Sequence, residues 1–374
     1  MLYLTKIYEI YVIMNETKNK IAIISHSLAF GGAERFAGVL SFILDDLGYE
    51  VHNIIINDKV DYEYCGKLYK LGKICNDNYG FIIKKVAKAY LLNAYLKNNN
   101  IQIIIDKRSR NSIVRELIYK WIYRKVKAFY MIHNYNLKMY LPENVLISKY
   151  IYNKSKKIIC VAKAIENKIT EKYKFKNTIT QYNPIDFSKL INSKSNINHG
   201  KYILFFGRLE EKSKHFSLMI EAFSVSKIYD RGYKLLILGD GPDLNLIKEI
   251  IRKYNLQDYI EMIPFQNNPF NHVKNAKFTI LTSRYEGFPM SIIESLALGT
   301  PVVSVDCNSG PAEIIINEYN GLLVKNYDVF ILANAIKKLV DDKILYDICK
   351  RNTVKSVSHL SVDNISKQWK EILS

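Results

Sequence analysis

The chain has 374 residues, 48% of them hydrophobic and 12% aromatic, and a formal net charge of +18. That length suits two domains of ordinary size, and that apolar content excludes wholesale disorder. The charge leaves three partner classes open: nucleic acid, an anionic membrane surface and an anionic small substrate.

The first residues, "MLYLTKIYEIYVI", are apolar but interrupted by Lys6 and Glu9. They are too short to span a bilayer and lack a small-residue cleavage site. Met14 precedes a more ordinary start, so residues 1–13 read as a loose extension or a misassigned start. No later window holds about 18 uninterrupted apolar residues. Five cysteines, Cys65, Cys75, Cys160, Cys307 and Cys349, are scattered without a C-x-x-C pair, which argues against a zinc cluster and fits a reducing compartment. The expectation is a cytoplasmic protein able to sit peripherally at the inner face of the cell membrane.

Short Ile- and Val-rich runs alternate with longer amphipathic stretches. In the first half the strand-like runs are 21–25, 51–56, 101–106, 128–133, 157–162 and 178–183. In the second half they are 202–207, 234–239, 259–264, 278–283, 301–306 and 321–324. Apolar runs separated by helices read as parallel sheet buried on both faces, and two successive sets imply two doubly wound α/β domains. The polar stretch 187–201 marks the boundary, and 330–374 is helical in pattern.

Residues 112–129 read as one helix. Ile113, Val114, Leu117, Ile118, Trp121 and Ile122 share a face, with Arg115, Lys120, Arg124, Lys125 and Lys127 around the rest. This is either a core-facing helix with a solvated basic back or an interfacial patch for anionic headgroups.

Four strand-end motifs carry chemistry. In "TSRYEGFPMSIIESLALG" a strand ends, a loop follows, and a helix begins at Pro289 and is capped by Gly299. Glu286 stands in the loop, where ligands of open α/β sheets bind, and Glu294 lies about one turn into the helix. From spacing alone, a solvated loop acid and a surface helix acid fit equally well. In "FFGRLEEKSKHF" a strand ends at Gly207 and Arg208 follows, a planar fork of donors suited to phosphate. In "SLAFGGAERF" Gly31 and Gly32 allow close backbone approach, and Glu34 falls near a helix start. This is not G-x-G-x-x-G and no acid ends the second strand, which disfavours a dehydrogenase. In "YMIHNY" His133 ends a strand. Asp45–Asp46 and Asp341–Asp342 sit in helical contexts, so no D-x-D metal motif is seen.

Glu286–Gly287–Phe288–Pro289 with Glu294 resembles the E-x7-E signature of retaining glycosyltransferases of the GT-B fold, family 4. The resemblance is densest over 201–325 and thinner over 21–186. It implies two Rossmann-like domains facing across a nucleotide-sugar cleft: 14–187 on the acceptor side, 198–355 holding the donor nucleotide, and a helix at 356–374 packing back toward the first. It implies that Glu286 binds hydroxyls of the donor sugar, Glu294 the ribose, and the turn from Gly287 through Phe288, Pro289 and Met290 the sugar and phosphates. Arg208 and Lys214 (Lys212 being close enough to substitute) would hold the diphosphate beside Gly207, and His133 would contact the sugar. Gly31 and Gly32 would line the donor phosphates, and "LGDGP" at 238–242 the nucleotide. Asn183 and Asp186 would serve near the hinge.

The activity implied is transfer of a hexose or N-acetylhexosamine from a nucleotide-diphosphate sugar, a UDP-sugar in particular. The acceptor would be a glycan or lipid-linked glycan in bacterial capsule, lipopolysaccharide or other cell-surface polysaccharide synthesis, with no metal or other cofactor. One departure is Ala162, where many members have a serine that caps a helix. A nucleotide-sugar epimerase of the same fold is the enzymatic alternative. A basic nucleic-acid-binding α/β protein is the other class, disfavoured because no nucleic-acid module is recognised.

Overall fold

The computed structural model describes residues 18–29, 31–72, 81–191, 199–325 and 327–374. The expected extension at 1–13, Cys75 and the middle of the boundary stretch, 192–198, lie outside them.

Two sheets form. The first contains β1 (Lys20–Ser25), β2 (Glu50–Ile55), β3 (Lys67–Lys70), β4 (Ile103–Asp106), β5 (Lys127–Ile132), β6 (Lys157–Cys160) and β7 (Thr178–Thr180) in the order β3-β2-β1-β4-β5-β6-β7. The second contains β8 (Lys201–Phe206), β9 (Tyr233–Leu238), β10 (Ile260–Ile263), β11 (Thr279–Leu281), β12 (Val302–Asp306) and β13 (Gly321–Lys325) in the order β10-β9-β8-β11-β12-β13. Central pairs are parallel, with Ile23 opposite both Asn53 and Ile105, and Thr279 opposite both Leu204 and Val302. Ile21, Ala22, Ile23 and Ile24 are buried on both faces of β1, as continuous apolar strands of a doubly covered sheet require. In each sheet the strand order reverses once, between β1 and β4 and between β8 and β11, and such switch points are where ligands of open α/β sheets bind.

Two compact units result, one running up to Met131 and including Leu146–Ile158, the other Ile132–Val145 with Ile159–Ser374. In the second unit the last helix, Val362–Leu373, buries Trp369 fully, and Ile185 N donates to Leu360 O at 2.8 Å.

Three expectations are corrected. β3, "KLYK", is an edge strand without an apolar run. It holds its place partly by stacking Tyr69 on Tyr95 at 4.0 Å. The boundary stretch begins with a short helix, Phe187–Ile191, whose first turn is capped by Asp186 Oδ1 accepting from Ser188 N (3.0 Å).

The largest correction concerns 112–129. The helix ends at Ile122, a 3-10 turn covers Tyr123–Lys125, and Lys127 opens β5. Of its apolar stripe all but Ile122 points outward, with Val114 70% and Trp121 56% exposed, whereas Glu116 and Tyr119 are buried with Ile122. The cause is Arg108, buried beneath it. The Arg108 guanidinium lies 3.7 Å from the Tyr119 ring centroid and 3.9 Å from Glu116, so the polar side faces inward to meet that charge.

Candidate active site

The loop between β11 and the Met290–Ala297 helix is fixed from several sides. Thr282 Oγ1 donates to Lys214 O (2.8 Å), Arg284 N donates to Ser213 O (2.9 Å), and Tyr135 N donates to Glu286 O (3.2 Å). These bonds bring Glu286 to Lys214, whose Nζ donates to Glu286 Oε1 at 2.5 Å, while Ser283 Oγ donates to the same oxygen at 2.6 Å. The two side chains are 20% and 13% exposed, withdrawn from bulk water yet reachable. Each keeps capacity for a ligand: an ammonium has three donors and a carboxylate about four acceptor positions.

Gly287, Phe288 and Pro289 are buried. A Cβ at Gly287 would lie 1.9 Å from His133 O, so only glycine lets the acid loop meet the backbone after β5 this closely. Phe288 stacks on Tyr182 at 4.6 Å, and Ser309 Oγ donates to Gly287 O at 3.0 Å. The helix starts at Met290, one residue later than expected, with Pro289 as an N-cap that offers no side-chain bond. Its first amides are those a helix N-terminus offers to anions. Glu294 is 4% exposed on the inner side of this helix.

Arg208 is exposed, its guanidinium 3.7 Å from Glu210. It follows Gly207 (φ +148°), whose carbonyl would be 1.9 Å from a Cβ at Gly239; likewise a Cβ at Gly241 would meet Leu209 O at 2.2 Å. The "GRL" and "LGDGP" turns are therefore packed backbone to backbone, with Leu209 N donating to Asp240 O at 2.9 Å. Lys214 closes the Glu211–Lys214 turn, and Lys212 is exposed. His215, at φ +56°, links that turn to the Phe216–Ser226 helix. Burial, then the Arg284 charge, lowers its pKa, so the ring is neutral at pH 7. Cys307, beside Glu286, has its thiol pushed up to about 12 by burial and remains protonated.

Sequence reasoning left two features without a role. The first is Glu313, whose carboxylate accepts from Lys163 N (2.7 Å), Ala164 N (2.9 Å) and Tyr182 OH (3.0 Å). It caps the Lys163–Tyr173 helix where Ala162 supplies no hydroxyl. On that helix Lys168 Nζ donates to Tyr135 O (3.1 Å) and lies over the Tyr135 ring, supporting the segment that bonds Glu286 O. An open recess of about 460 Å³ lies here, lined by Tyr135, Lys168, Arg284, Tyr285, Asn308 and Tyr327, among others.

The second is "DKRSR", 106–110, after β4 at the first unit's switch point. Asp106 and Arg108 are fully buried and paired through two bonds of 3.0 and 2.5 Å. Lys107 Nζ donates to Ala33 O (2.5 Å) in the Gly32–Asp46 helix that Gly31 caps and Gly32 opens. Burial pushes its pKa down to about 7. Five consecutive polar residues ending an otherwise apolar strand were the available signal. Among the described residues no group of three or more His, Cys, Asp or Glu is placed to hold a metal ion.

Comparison with known proteins agrees with this fold. Residues 186–356 match the family model of glycosyl transferases group 1. The chain is 28% identical over 356 residues (86% of this chain, 90% of the relative) to the N-acetylgalactosamine-N,N'-diacetylbacillosaminyl-diphospho-undecaprenol 4-alpha-N-acetylgalactosaminyltransferase of Campylobacter jejuni. Among solved structures it resembles a mutant of S. aureus TarM in complex with Fondaparinux, alpha-GlcNAc-glycerol and UDP (TM-score 0.77, 16% identity, covering 95% of this chain and 100% of that one). It also resembles Anabaena HepE in complex with UDP-glucose (TM-score 0.73, 15% identity, 95% and 99% covered). Residues 186–356 are thus similar to the glycosyl transferases group 1 domain, and the chain has the fold of the GT-B glycosyltransferases.

Proposed function

We propose that the protein is a retaining glycosyltransferase that moves a hexose or N-acetylhexosamine from a UDP-sugar to a glycan or lipid-linked glycan in bacterial cell-surface polysaccharide synthesis. The observation that carries this reading is the Lys214–Glu286 pair, held at 2.5 Å beside the start of the helix that buries Glu294. The undecaprenol-linked substrate of the Campylobacter relative and the UDP-glucose bound by HepE support the choice of acceptor and donor class.

In this reading residues 198–355 take the donor and 14–187 the acceptor. Glu294 accepts hydrogen bonds from the ribose, and Glu286 and His133 contact the sugar. Arg208, Lys214 and the amides from Phe288 to Met290 hold the diphosphate, with Gly31 and Gly32 near its phosphates. Bond cleavage adds negative charge to the leaving phosphate, and fixed cations stabilise that charge more in the transition state than in the ground state. Retention requires the acceptor on the leaving-group face, and the protonated Cys307 is not called upon as a nucleophile. No metal is needed.

The test is a panel of UDP-, GDP- and ADP-sugars, read by thermal shift and by donor hydrolysis. A stabilising shift and slow hydrolysis with one UDP-sugar are expected. A silent panel, or epimerisation of the sugar without transfer, contradicts the reading.

A further inference from the structure

The Ile113–Ile122 helix exposes the side that its sequence makes apolar. Ile113, Leu117 and Ile118 are each about 40% exposed, and Val114 and Trp121 more so. The Val145–Tyr152 helix beside it adds Leu146 (77%) and Tyr150 (66%). Lys120 joins the two: its ammonium lies 3.2 Å from the Tyr150 ring centroid and bonds Tyr150 O. Arg124 lies over the Trp121 ring at 4.1 Å.

Monomeric proteins rarely leave so many large apolar side chains together in water. Charge decides what covers them. Residues 112–127 carry five Lys and Arg and residues 146–157 four Lys, against one acid, Glu116. That acid is buried and paired with Arg115 at 3.0 Å, so it offsets nothing at the surface. A second copy docking by this face would set Lys120, Arg124 and Lys125 against their own like charges. An anionic bilayer meets both demands, since its headgroups take the cations and its acyl boundary takes Trp121, Leu146 and their neighbours.

We propose that this face is a docking surface for an anionic lipid bilayer, with Trp121 and Leu146 entering the headgroup–acyl boundary and Lys120, Arg124 and Lys125 ringing it. It goes beyond the donor assignment and does not depend on it. No helix of the described residues is long and apolar enough to cross a membrane, and the docking proposed is by this face.

Of the two tryptophans, Trp121 is exposed and Trp369 fully buried, so Trp121 is the reporter that a surface event can move. Vesicles of phosphatidylglycerol and phosphatidylcholine at low salt should shift its emission to shorter wavelength and protect it from acrylamide. Pure phosphatidylcholine should not. Raised salt and the double variant Arg124→Ser/Lys125→Ser should each weaken binding about tenfold or more. Trp121→Phe should abolish the optical change while sedimentation with anionic vesicles persists. The double variant should keep the wild-type thermal shift with UDP, which separates loss of this surface from failure of the donor reading. Equal binding to neutral vesicles, no binding at low salt, or a salt-stable dimer whose assembly buries Trp121 would each overturn the proposal.

Discussion

The two units both hold acid–cation pairs at the carboxyl ends of central strands, and they hold them differently. In the first, Asp106 and Arg108 are fully buried, joined by two bonds, and surrounded by Tyr119, Tyr123 and Glu116. In the second, Lys214 and Glu286 share one short bond and stay partly open to solvent. A pair enclosed on every side is out of a ligand's reach and serves as scaffold. A pair with an open side can exchange its mutual bond for bonds to a substrate. Burial, more than charge, separates the two roles.

The comparison breaks most visibly at Asp106. Asp106→Asn keeps the shape and leaves Arg108 charged in a dry site, a defect that costs about 3–5 kcal/mol. Denaturant unfolding should show that loss, whereas Glu286→Gln should cost about 1 kcal/mol or less, as for pairs near water. Equal losses in the two variants would erase the distinction.

Lys107 offers a smaller and pH-dependent test. Its folded pKa, about 7, lies below the ordinary lysine value of 10.5. Between those values the unfolded chain binds the extra proton, so stability rises with pH there and the penalty is fully present below pH 7. The wild type should gain on Lys107→Met by up to about 1.4 kcal/mol per pH unit from pH 7 toward 10. A gap that stays constant with pH would mean that the ammonium remains charged in the folded protein.

Much of this was legible in the residues. Among the described residues twelve strands were readable because buried parallel strands are runs of Ile, Val and Leu, and the edge strand β3, whose Lys67 and Lys70 interrupt the pattern, escaped. The acid loop and the Gly207–Arg208 turn were readable because their glycines and Pro289 announce tight geometry. The side on which the 113–122 helix is buried was not. Its periodicity marks an apolar stripe, but the direction was set by Arg108, a residue outside the helix. Likewise the Lys214–Glu286 bond spans 72 positions and the Glu313 cap 150, distances at which local pattern carries no information.

The central claim is that the partly open pair is the working one. The decisive measurement is turnover of the UDP-sugar found by the panel, in wild type and in Glu286→Gln at matched stability. Charge-assisted hydrogen bonds are worth roughly 1.5–3 kcal/mol, so transfer should fall tenfold or more while the unfolding midpoint stays near that of the wild type. Undiminished turnover in a folded Glu286→Gln protein would contradict the account.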